Sequence, residues 1–317
     1  MQTKLVLVEG VPFTGKSTLS EFAALQLGLN GHAAEWVPEG VMLEKYFPHV
    51  LAVLTRTQSL SEELLWADWS AFVQTVKNAP ATFVVDAAIS YAAVYPLMAE
   101  DRPHEAILAM VARIAQLCAP LHPRVIHLMG DAERLARASI VDRGDKWQKQ
   151  LVEQSDAAPY QKARGRSGVD GAIAFRGERQ ELMAVVLEAG GWQTLTLDVT
   201  SSDWETNRRA TFSFLGISEA QVDPPALAAA LEVYTGTYAA ENPAGPIGTI
   251  EVRMEQDQLV LYEPGISMRL GPLVPMSSTR LHLRATQLEA EFVVEEGMAR
   301  RLVLLAPSGK ALAFRRA

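Results

Sequence analysis

The sequence predicts an α/β protein in two parts: a parallel sheet flanked by helices over residues 1–217, and a small antiparallel β-barrel or sandwich over residues 234–317. The prediction depends on three observations. Aliphatic runs alternate with helically spaced segments, a glycine-rich turn follows the first run, and short alternating segments fill the end of the chain. Residues 218–233, which contain a proline pair, are predicted to form a linker and a short helix.

Composition and charge limit the classes of function. With 317 residues, of which 49% are hydrophobic, the chain exceeds the usual size of one domain. Its net charge of −8 argues against binding nucleic acid through a broad basic surface. Cys118 is the only cysteine, so an intrachain disulfide is excluded. The apolar runs are short for a signal peptide or a membrane span, and we expect a soluble, cytoplasmic protein without a membrane partner.

The elements of the first part follow from the period of their apolar residues. Residues 4–8 form a short aliphatic run bounded by a Gly/Pro turn, which is typical of a buried strand. Residues 16–29 carry a broad apolar face and end at Asn-Gly, which is typical of a helix and its stop signal. The same criteria predict further strands at residues 33–38, 81–88, 124–130 and 192–200, and further helices at residues 60–77, 104–119 and 201–216.

The pattern changes after about residue 217. From residue 234 the segments are short, rich in β-forming residues, and punctuated by glycine and proline. Alternation of apolar and polar residues is clear at residues 250–254 and 281–284, which is typical of strands with one buried face. These features predict the antiparallel β domain.

A phosphate-binding motif follows the first predicted strand. Residues 10–17 fit G-x-x-x-x-G-K-[ST], the Walker A pattern, and the predicted nucleotide-binding residues are Gly10, Val11, Pro12, Phe13, Thr14, Gly15, Lys16, Ser17 and Thr18. The glycines allow backbone N–H groups to turn toward an anion, and the following helix adds its positive end. Lys16 would reach the β and γ phosphates, and the Ser17 hydroxyl would ligate Mg²⁺.

In this context the stretch VEGVPFTGKST resembles the P-loop kinases, especially the thymidylate-kinase and nucleoside-monophosphate-kinase branch, over about the first 215 residues. The resemblance implies that the loop holds ATP and that a groove along the sheet edge holds the phosphoryl acceptor. The Y-x-G-x-Y start of the last part resembles the lipocalin-like domain appended to some serine β-lactamase-like peptidases. That domain could cover the acceptor groove, form a homodimer or bind a small apolar ligand.

Carboxylates follow other predicted strands. Asp86 follows four residues of the third predicted strand, where side chains face the ligand edge of an open sheet, and it could hold Mg²⁺ or act as a base. The alternative is an aspartate that caps the next helix. Glu39 follows the second predicted strand, and the resemblance implies that it contacts the acceptor; the alternative is a solvated acid in a turn. Glu9 precedes Gly10 and either contacts the acceptor or organises the loop through hydrogen bonds.

Arginines follow the fourth predicted strand. Arg134 and Arg137 are three residues apart, so they share a face of the predicted helix, and Arg143 lies in a turn beyond it. The resemblance implies lid arginines that stabilise the transferring phosphoryl group. Arg137 and Arg143 are assigned to that role, and Arg134 to the acceptor. The alternative is an ordinary solvated face.

The sequence therefore predicts a kinase that uses ATP and Mg²⁺ and acts on a small hydroxylated or phosphorylated acceptor, with Lys16, Asp86, Arg137 and Arg143 as catalytic residues. The acceptor could be a nucleoside, a nucleotide, a metabolite or an antibiotic. The alternative is a switch protein in which ATP binding controls the β domain.

Overall fold

A computed structural model describes residues 2–201, 203–220, 230–266, 268–277, 279–284, 286–306 and 309–317. The chain divides into two compact units. The first comprises Met1–Ser139 and Gln150–Ala220, and the second comprises Ile140–Lys149 and Gln221–Ala317. Within the predicted linker, residues 221–229 lie outside the described residues, and a short 3-10 helix occupies Leu231–Tyr234.

The first unit contains a five-stranded parallel sheet, as the sequence predicts. Its strands are β1 (Leu5–Gly10), β2 (Ala34–Val37), β3 (Thr82–Asp86), β4 (Arg124–Met129) and β5 (Gln193–Asp198). They are arranged in the order β2-β3-β1-β4-β5. Strand β1 therefore lies between β3 and β4, so the residues that follow β1 and β3 meet at one edge of the sheet.

Both faces of this sheet are buried, which explains the continuous aliphatic run of β1. Leu5 and Leu7 pack into the cluster on one face, whereas Val6 and Val8 pack into the cluster on the other. Successive strand side chains point to opposite faces, so a strand covered on both sides has no polar positions to alternate with.

Helices cover both faces of the sheet. They are α1 (Lys16–Leu29), α2 (Glu39–Val41), α3 (Pro48–Leu54), α4 (Glu62–Asn78), α5 (Tyr95–Ala99), α6 (His104–Cys118), α7 (Ala132–Arg143), α8 (Asp145–Asp156), α9 (Pro159–Ala163), α10 (Gly168–Ala189) and α11 (Trp204–Leu215). Two π-helical segments, Met42–Tyr46 and Ser90–Val94, precede α3 and α5. The Asp131 carboxylate accepts the backbone N–H of Arg134 at 2.9 Å and so caps the start of α7.

One segment of the described residues, His104–Leu121, is long and apolar enough by length and composition to cross a bilayer. The sequence analysis expected no run of that length. In the structure, its helix α6 buries one stripe that includes Ile107, Val111 and Ile114 in the larger core cluster. This is the packing of an amphipathic helix against a protein core.

The stretch at residues 159–171 is rich in glycine and basic residues, yet much of it is helical. It forms α9 and then the first turn of α10, a helix of 22 residues. The later part of α10 buries Leu182, Met183 and Val186 in the core. This tertiary packing stabilises a helix whose first turn has glycines with low helix propensity.

The second unit contains a closed eight-stranded antiparallel barrel, which confirms the predicted β domain. Its strands are β6 (Gly236–Ala240), β7 (Thr249–Glu255), β8 (Gln258–Glu263), β9 (Met268–Pro275), β10 (Arg280–Leu283), β11 (Glu289–Glu295), β12 (Met298–Leu305) and β13 (Ala311–Arg316), in the order β10-β11-β12-β13-β6-β7-β8-β9. Tyr234, Tyr238, Phe292 and Phe314 are buried with aliphatic side chains in its core. The interior of a barrel of this size is filled by side chains, as here.

A buried histidine on β4 makes the stability of the first unit depend on pH. His127 is 1% exposed, and its Nε2 has no hydrogen-bond partner among the described residues. Burial lowers its pKa from 6.5 to about 4. Because the folded pKa lies below the unfolded one, the stabilisation is complete above pH 6.5 and is lost as the pH falls toward 4.

We expect protonation of His127 to lower the free energy of unfolding by up to about 3 kcal/mol as the pH falls from 7 to 4. Urea unfolding of the His127→Gln variant should show a correspondingly smaller acid loss. His104→Gln, at an exposed position, is the control and should follow the wild type. An unchanged pH dependence in His127→Gln would contradict the assignment.

Candidate active site

The loop between β1 and α1 has a backbone that only glycine accommodates at two positions. Gly10 has φ +150°, and a Cβ atom there would lie 2.6 Å from the carbonyl oxygen of Leu128. Gly15 has φ +87°, in the left-handed region. The two glycines of the motif are therefore required by backbone conformation, and at Gly10 also by the close approach of β4. We call residues 10–17 the phosphate loop.

The start of α1 is arranged to attract an anion. Its N-cap is Gly15, which provides no side-chain cap, and the first turn has no acidic residue. The N–H groups of the first turn thus retain their capacity to bind an anion at the positive end of the helix. Lys16 is 5% exposed, and its Nζ donates to the carbonyl oxygen of Val11 at 3.3 Å, which holds the ammonium within the loop.

Asp86 and Ser17 meet because β3 is the neighbour of β1, with Val8 opposite Asp86 in the register. The Ser17 hydroxyl donates a hydrogen bond to Oδ2 of Asp86. Asp86 is fully buried, and its Oδ1 has no protein partner among the described residues. Burial raises the pKa of this carboxyl group, and the charge of Lys16 and the hydrogen bond from Ser17 oppose that effect.

The hydroxyl and the orphaned carboxylate oxygen fit Mg²⁺. This ion prefers hard oxygen ligands and commonly takes only one or two from the protein, with waters and phosphate oxygens completing its shell. Among the described residues, no group of three or more His, Cys, Asp or Glu side chains could hold a metal ion.

Glu9 organises the polypeptide rather than facing a ligand. It is fully buried, and its two carboxylate oxygens accept the backbone N–H groups of Ile89 at 2.7 Å and Ser90 at 2.9 Å. Burial raises its pKa to about 8, although both hydrogen bonds and Lys16 act in the opposite direction. Of the two interpretations of the sequence, the structure supports the organising role, which here fixes the segment that follows Asp86.

A cavity of about 270 Å³ opens beside the phosphate loop, and Pro12 of the loop forms part of its wall. We call it the arginine cavity. Its described lining includes Pro12, Glu39, Tyr91, Tyr95, Arg176 and Arg179. Glu39 lies at the start of α2, with one residue between it and the end of β2.

Two buried arginines on α10 give this cavity its charge. Arg176 is 5% exposed and Arg179 is 2% exposed. The Arg179 guanidinium lies 5.2 Å from the ring centroids of both Tyr91 and Tyr95, a cation–π arrangement, and its Nε has no hydrogen-bond partner among the described residues. Arg176 donates from Nη1 to the Ser139 hydroxyl at 3.2 Å. Buried guanidinium groups that line a cavity are suited to an anionic ligand.

The arginines predicted from the sequence occupy other positions. Arg137 is about half exposed and pairs with Glu133 at 2.9 Å and Asp170 at 3.3 Å. Arg134 is exposed, and its Nη1 lies 3.5 Å from the carbonyl oxygen of Thr200. Arg143 belongs to the second unit, where its guanidinium lies 5.4 Å from the Trp147 ring centroid. The described lining of the arginine cavity includes none of these three.

Trp204, the first residue of α11, packs against the phosphate loop. A Cβ atom at Gly15 would lie 2.2 Å from Cη2 of the Trp204 indole, so the ring is in direct contact with the glycine. The side chain is 37% exposed. An indole with an exposed surface beside a phosphate loop is suited to stacking on an aromatic ring.

Three residues near the phosphate loop and the arginine cavity were not predicted as site residues: Arg176, Arg179 and Trp204. The sequence does contain a signal for Arg176 and Arg179: they are three residues apart in a segment whose apolar residues recur at helical spacing. An arginine pair on the apolar side of a helix indicates a buried polar site. No pattern in the sequence indicates a role for Trp204, because its contact with Gly15 joins residues that are distant in the chain.

Comparisons with known proteins add a distant likeness. No protein-family model and no curated protein matches this chain. An unliganded sugar kinase from Janibacter sp. HTCC2649 is 14% identical, with a TM-score of 0.38 over 68% of this chain and 96% of its own. A sulfotransferase from Alicyclobacillus acidocaldarius is 9% identical, with a TM-score of 0.34 over 69% of this chain and 86% of its own. Both are transferases, and both are too distant to transfer an activity to this chain.

Proposed function

We propose that this protein is a kinase that moves the terminal phosphoryl group of ATP to an acceptor held in the arginine cavity. One observation carries the proposal. The phosphate loop contributes Pro12 to a cavity that two buried arginines and Glu39 also line. A donor phosphate in the loop and an acceptor in the cavity would therefore be neighbours, which is the main requirement of phosphoryl transfer.

The donor would be held by the N–H groups of the phosphate loop and by Lys16, with Mg²⁺ ligated by Ser17 and Asp86. When bound, the ion would neutralise charge that develops on the phosphate oxygens. The hydrogen bond from Ser17 to Asp86 favours a metal-organising role for Asp86 over that of a general base. It joins the two side chains that the motif and the strand end supply as magnesium ligands.

The acceptor side of the reaction would use Glu39, Arg176 and Arg179. The acceptor oxygen bonds to the γ-phosphorus while the bond from that phosphorus to the β–γ bridging oxygen breaks, which leaves ADP. If the acceptor is a hydroxyl, its proton passes to the Glu39 carboxylate. The fixed positive charges of Arg176 and Arg179 would stabilise the transferring group, the role that the sequence analysis gave to Arg137 and Arg143.

ADP formation with a panel of nucleosides, nucleotides, sugars, alcohols and hydroxylated antibiotics tests this proposal. We expect an acceptor to stimulate ADP release by the wild type, and the Lys16→Ala variant to show only background. Tight ATP binding without turnover on any acceptor would contradict the kinase and favour the switch protein.

Trp204 is expected to stack on the base of the donor nucleotide, because its indole lies against Gly15 and is partly exposed. Base–aromatic stacking is worth about 1–3 kcal/mol, so Trp204→Ala should raise the KM for ATP about tenfold or more. Trp204→Phe retains a ring and should recover most of that loss. The KM for inorganic tripolyphosphate as donor should be the same in all three proteins, since it has no base. An ATP KM unchanged in Trp204→Ala would refute the stacking.

A further inference from the structure

We propose that the acceptor is an alcohol with an extended apolar body, which reaches from the arginine cavity into a second chamber. The identity of the reacting end rests on the proposed function, whereas the binding of the apolar body does not. Two features of the structure support this: the charged side chains of the arginine cavity lie together, and a second chamber adjoins the cavity.

The charged side chains of the arginine cavity form one cluster. Arg179 lies against Tyr91, Arg176 is three residues earlier on α10, and Glu39 lines the same cavity. Other parts of the lining are apolar and come from different helices, including Leu51 and Leu54 of α3 and Leu151 of α8. The cavity is thus charged around Tyr91 and uncharged where α3 and α8 line it, with three leucines beside Thr55, Gln154 and Ser155.

The second chamber has a volume of about 250 Å³ and shares Leu54, Tyr95 and Gln154 with the arginine cavity. Its described lining includes none of the three charged residues Glu39, Arg176 and Arg179. Much of the lining consists of small or aliphatic residues: Val53, Leu54, Pro96, Ala99, Ala157 and Pro159. The shared residues place the second chamber beside the arginine cavity, next to Tyr95 and the α3–α8 wall.

Two charged side chains, Glu100 and Arg56, line the second chamber, and the backbone holds the guanidinium of Arg56. It donates from Nη2 to the carbonyl oxygens of Glu153 at 3.1 Å and Gln154 at 3.4 Å. These contacts tie the end of α3 to α8, so the two helices that line both spaces are joined beside the chamber. An apolar ligand would thus meet a wall whose guanidinium already has hydrogen-bond partners.

The volumes favour a long acceptor over a compact one. The arginine cavity, at about 270 Å³, is smaller than the roughly 300–1,000 Å³ that sites for drug-sized ligands occupy, and the two spaces together fall within that range. A compact sugar or nucleoside would leave the second chamber without a ligand group. An apolar chain would fill it and bury its surface against aliphatic walls.

The n-alkyl phosphates from butyl to dodecyl are the probes, because each mimics the phosphorylated product of an alcohol. Their binding to the full chain is measured by calorimetry, below their micelle-forming concentrations. We expect the affinity to rise by up to about fourfold for each methylene that enters the chamber, and to level off once the chamber is full.

Two variants locate the probe. Ala157→Trp fills the second chamber, so it should abolish the gain for the long chains and leave butyl phosphate unchanged, while the exposed Ala138→Trp control binds like the wild type. Arg179→Met should weaken every chain length by the same factor, since it acts on the phosphate. Circular dichroism and thermal melts establish that each variant is folded.

Affinities that do not depend on chain length, or a gain that persists in Ala157→Trp, would overturn this inference. The outcome is separate from that of the proposed function. ADP formation with compact acceptors and no chain-length dependence would leave the kinase standing and remove the extended acceptor. Chain-length-dependent binding without ADP formation on any acceptor of the panel would support the extended ligand and remove the kinase.

Discussion

The Asp86→Asn variant is expected to lower kcat for acceptor-stimulated ADP formation on the order of 10²–10³-fold. The substitution keeps the shape of the side chain and removes the negative charge that the proposed site directs at Mg²⁺. The hydrogen bond from Ser17 shows that the carboxylate already lies at the phosphate loop. The measurement is kcat at saturating ATP, together with the Mg²⁺ concentration that gives half the maximal rate, which should rise.

The unfolding temperature of Asp86→Asn distinguishes a loss of catalysis from misfolding. Burial raises the pKa of Asp86, which means that the folded protein disfavours the charged carboxylate. Without Mg²⁺, Asp86→Asn should therefore unfold at the same or a higher temperature than the wild type. Ser17→Ala, which removes the other proposed ligand, should also weaken the Mg²⁺ response. A kcat within a factor of about three of the wild type in Asp86→Asn would contradict the assignment, since removal of one such group costs far more.

The second large effect is expected from Arg179→Met, which should lower kcat/KM for the acceptor about 10²-fold or more. The KM for ATP should change much less, because Arg179 lines the arginine cavity rather than the phosphate loop. Methionine retains an unbranched chain of similar length, so the packing against Tyr91 and Tyr95 is largely preserved. Steady-state kinetics with either substrate varied provide the measurement.

Arg137→Met is the matched comparison, since it removes the same group from the position that the sequence favours. Arg137 lies on the surface in ion pairs with Glu133 and Asp170, and such pairs contribute little. We expect kcat/KM to stay within about twofold of the wild type, because an exposed cation contributes little to a water-excluded site. If Arg137→Met impaired the reaction and Arg179→Met did not, the sequence-based lid would be correct and the role of the arginine cavity would be wrong.

Local sequence was sufficient to predict the phosphate loop and the elements around it. The aliphatic run of β1, the glycines and the helix Lys16–Leu29 are close together in the chain, and each has its own pattern. Asp86 was also within reach, because a carboxylate directly after a buried strand faces the ligand edge of any parallel sheet. The barrel followed from alternation and turn signals in the same way.

Local sequence did not predict which arginines are buried. Arg137 and Arg143 were predicted as lid arginines because they are near one another and follow β4. Proximity in the chain does not determine which charges are buried. Arg176 and Arg179 are selected by the packing of α10 in the core, which brings them to Tyr91 and Tyr95. Burial is decided by contacts between distant segments, and these contacts give a guanidinium its influence on a ligand.

The sequence by itself therefore determined the class of the fold and the kind of anion that the first loop is suited to bind, since both depend on residues that are neighbours in the chain. Only the tertiary structure decided which side chains surround the cavity beside that loop, and that a second chamber adjoins it. The physical reason is that a cavity is formed by helices α3, α5, α8 and α10, which are separated in the chain and meet only when their apolar faces are buried together.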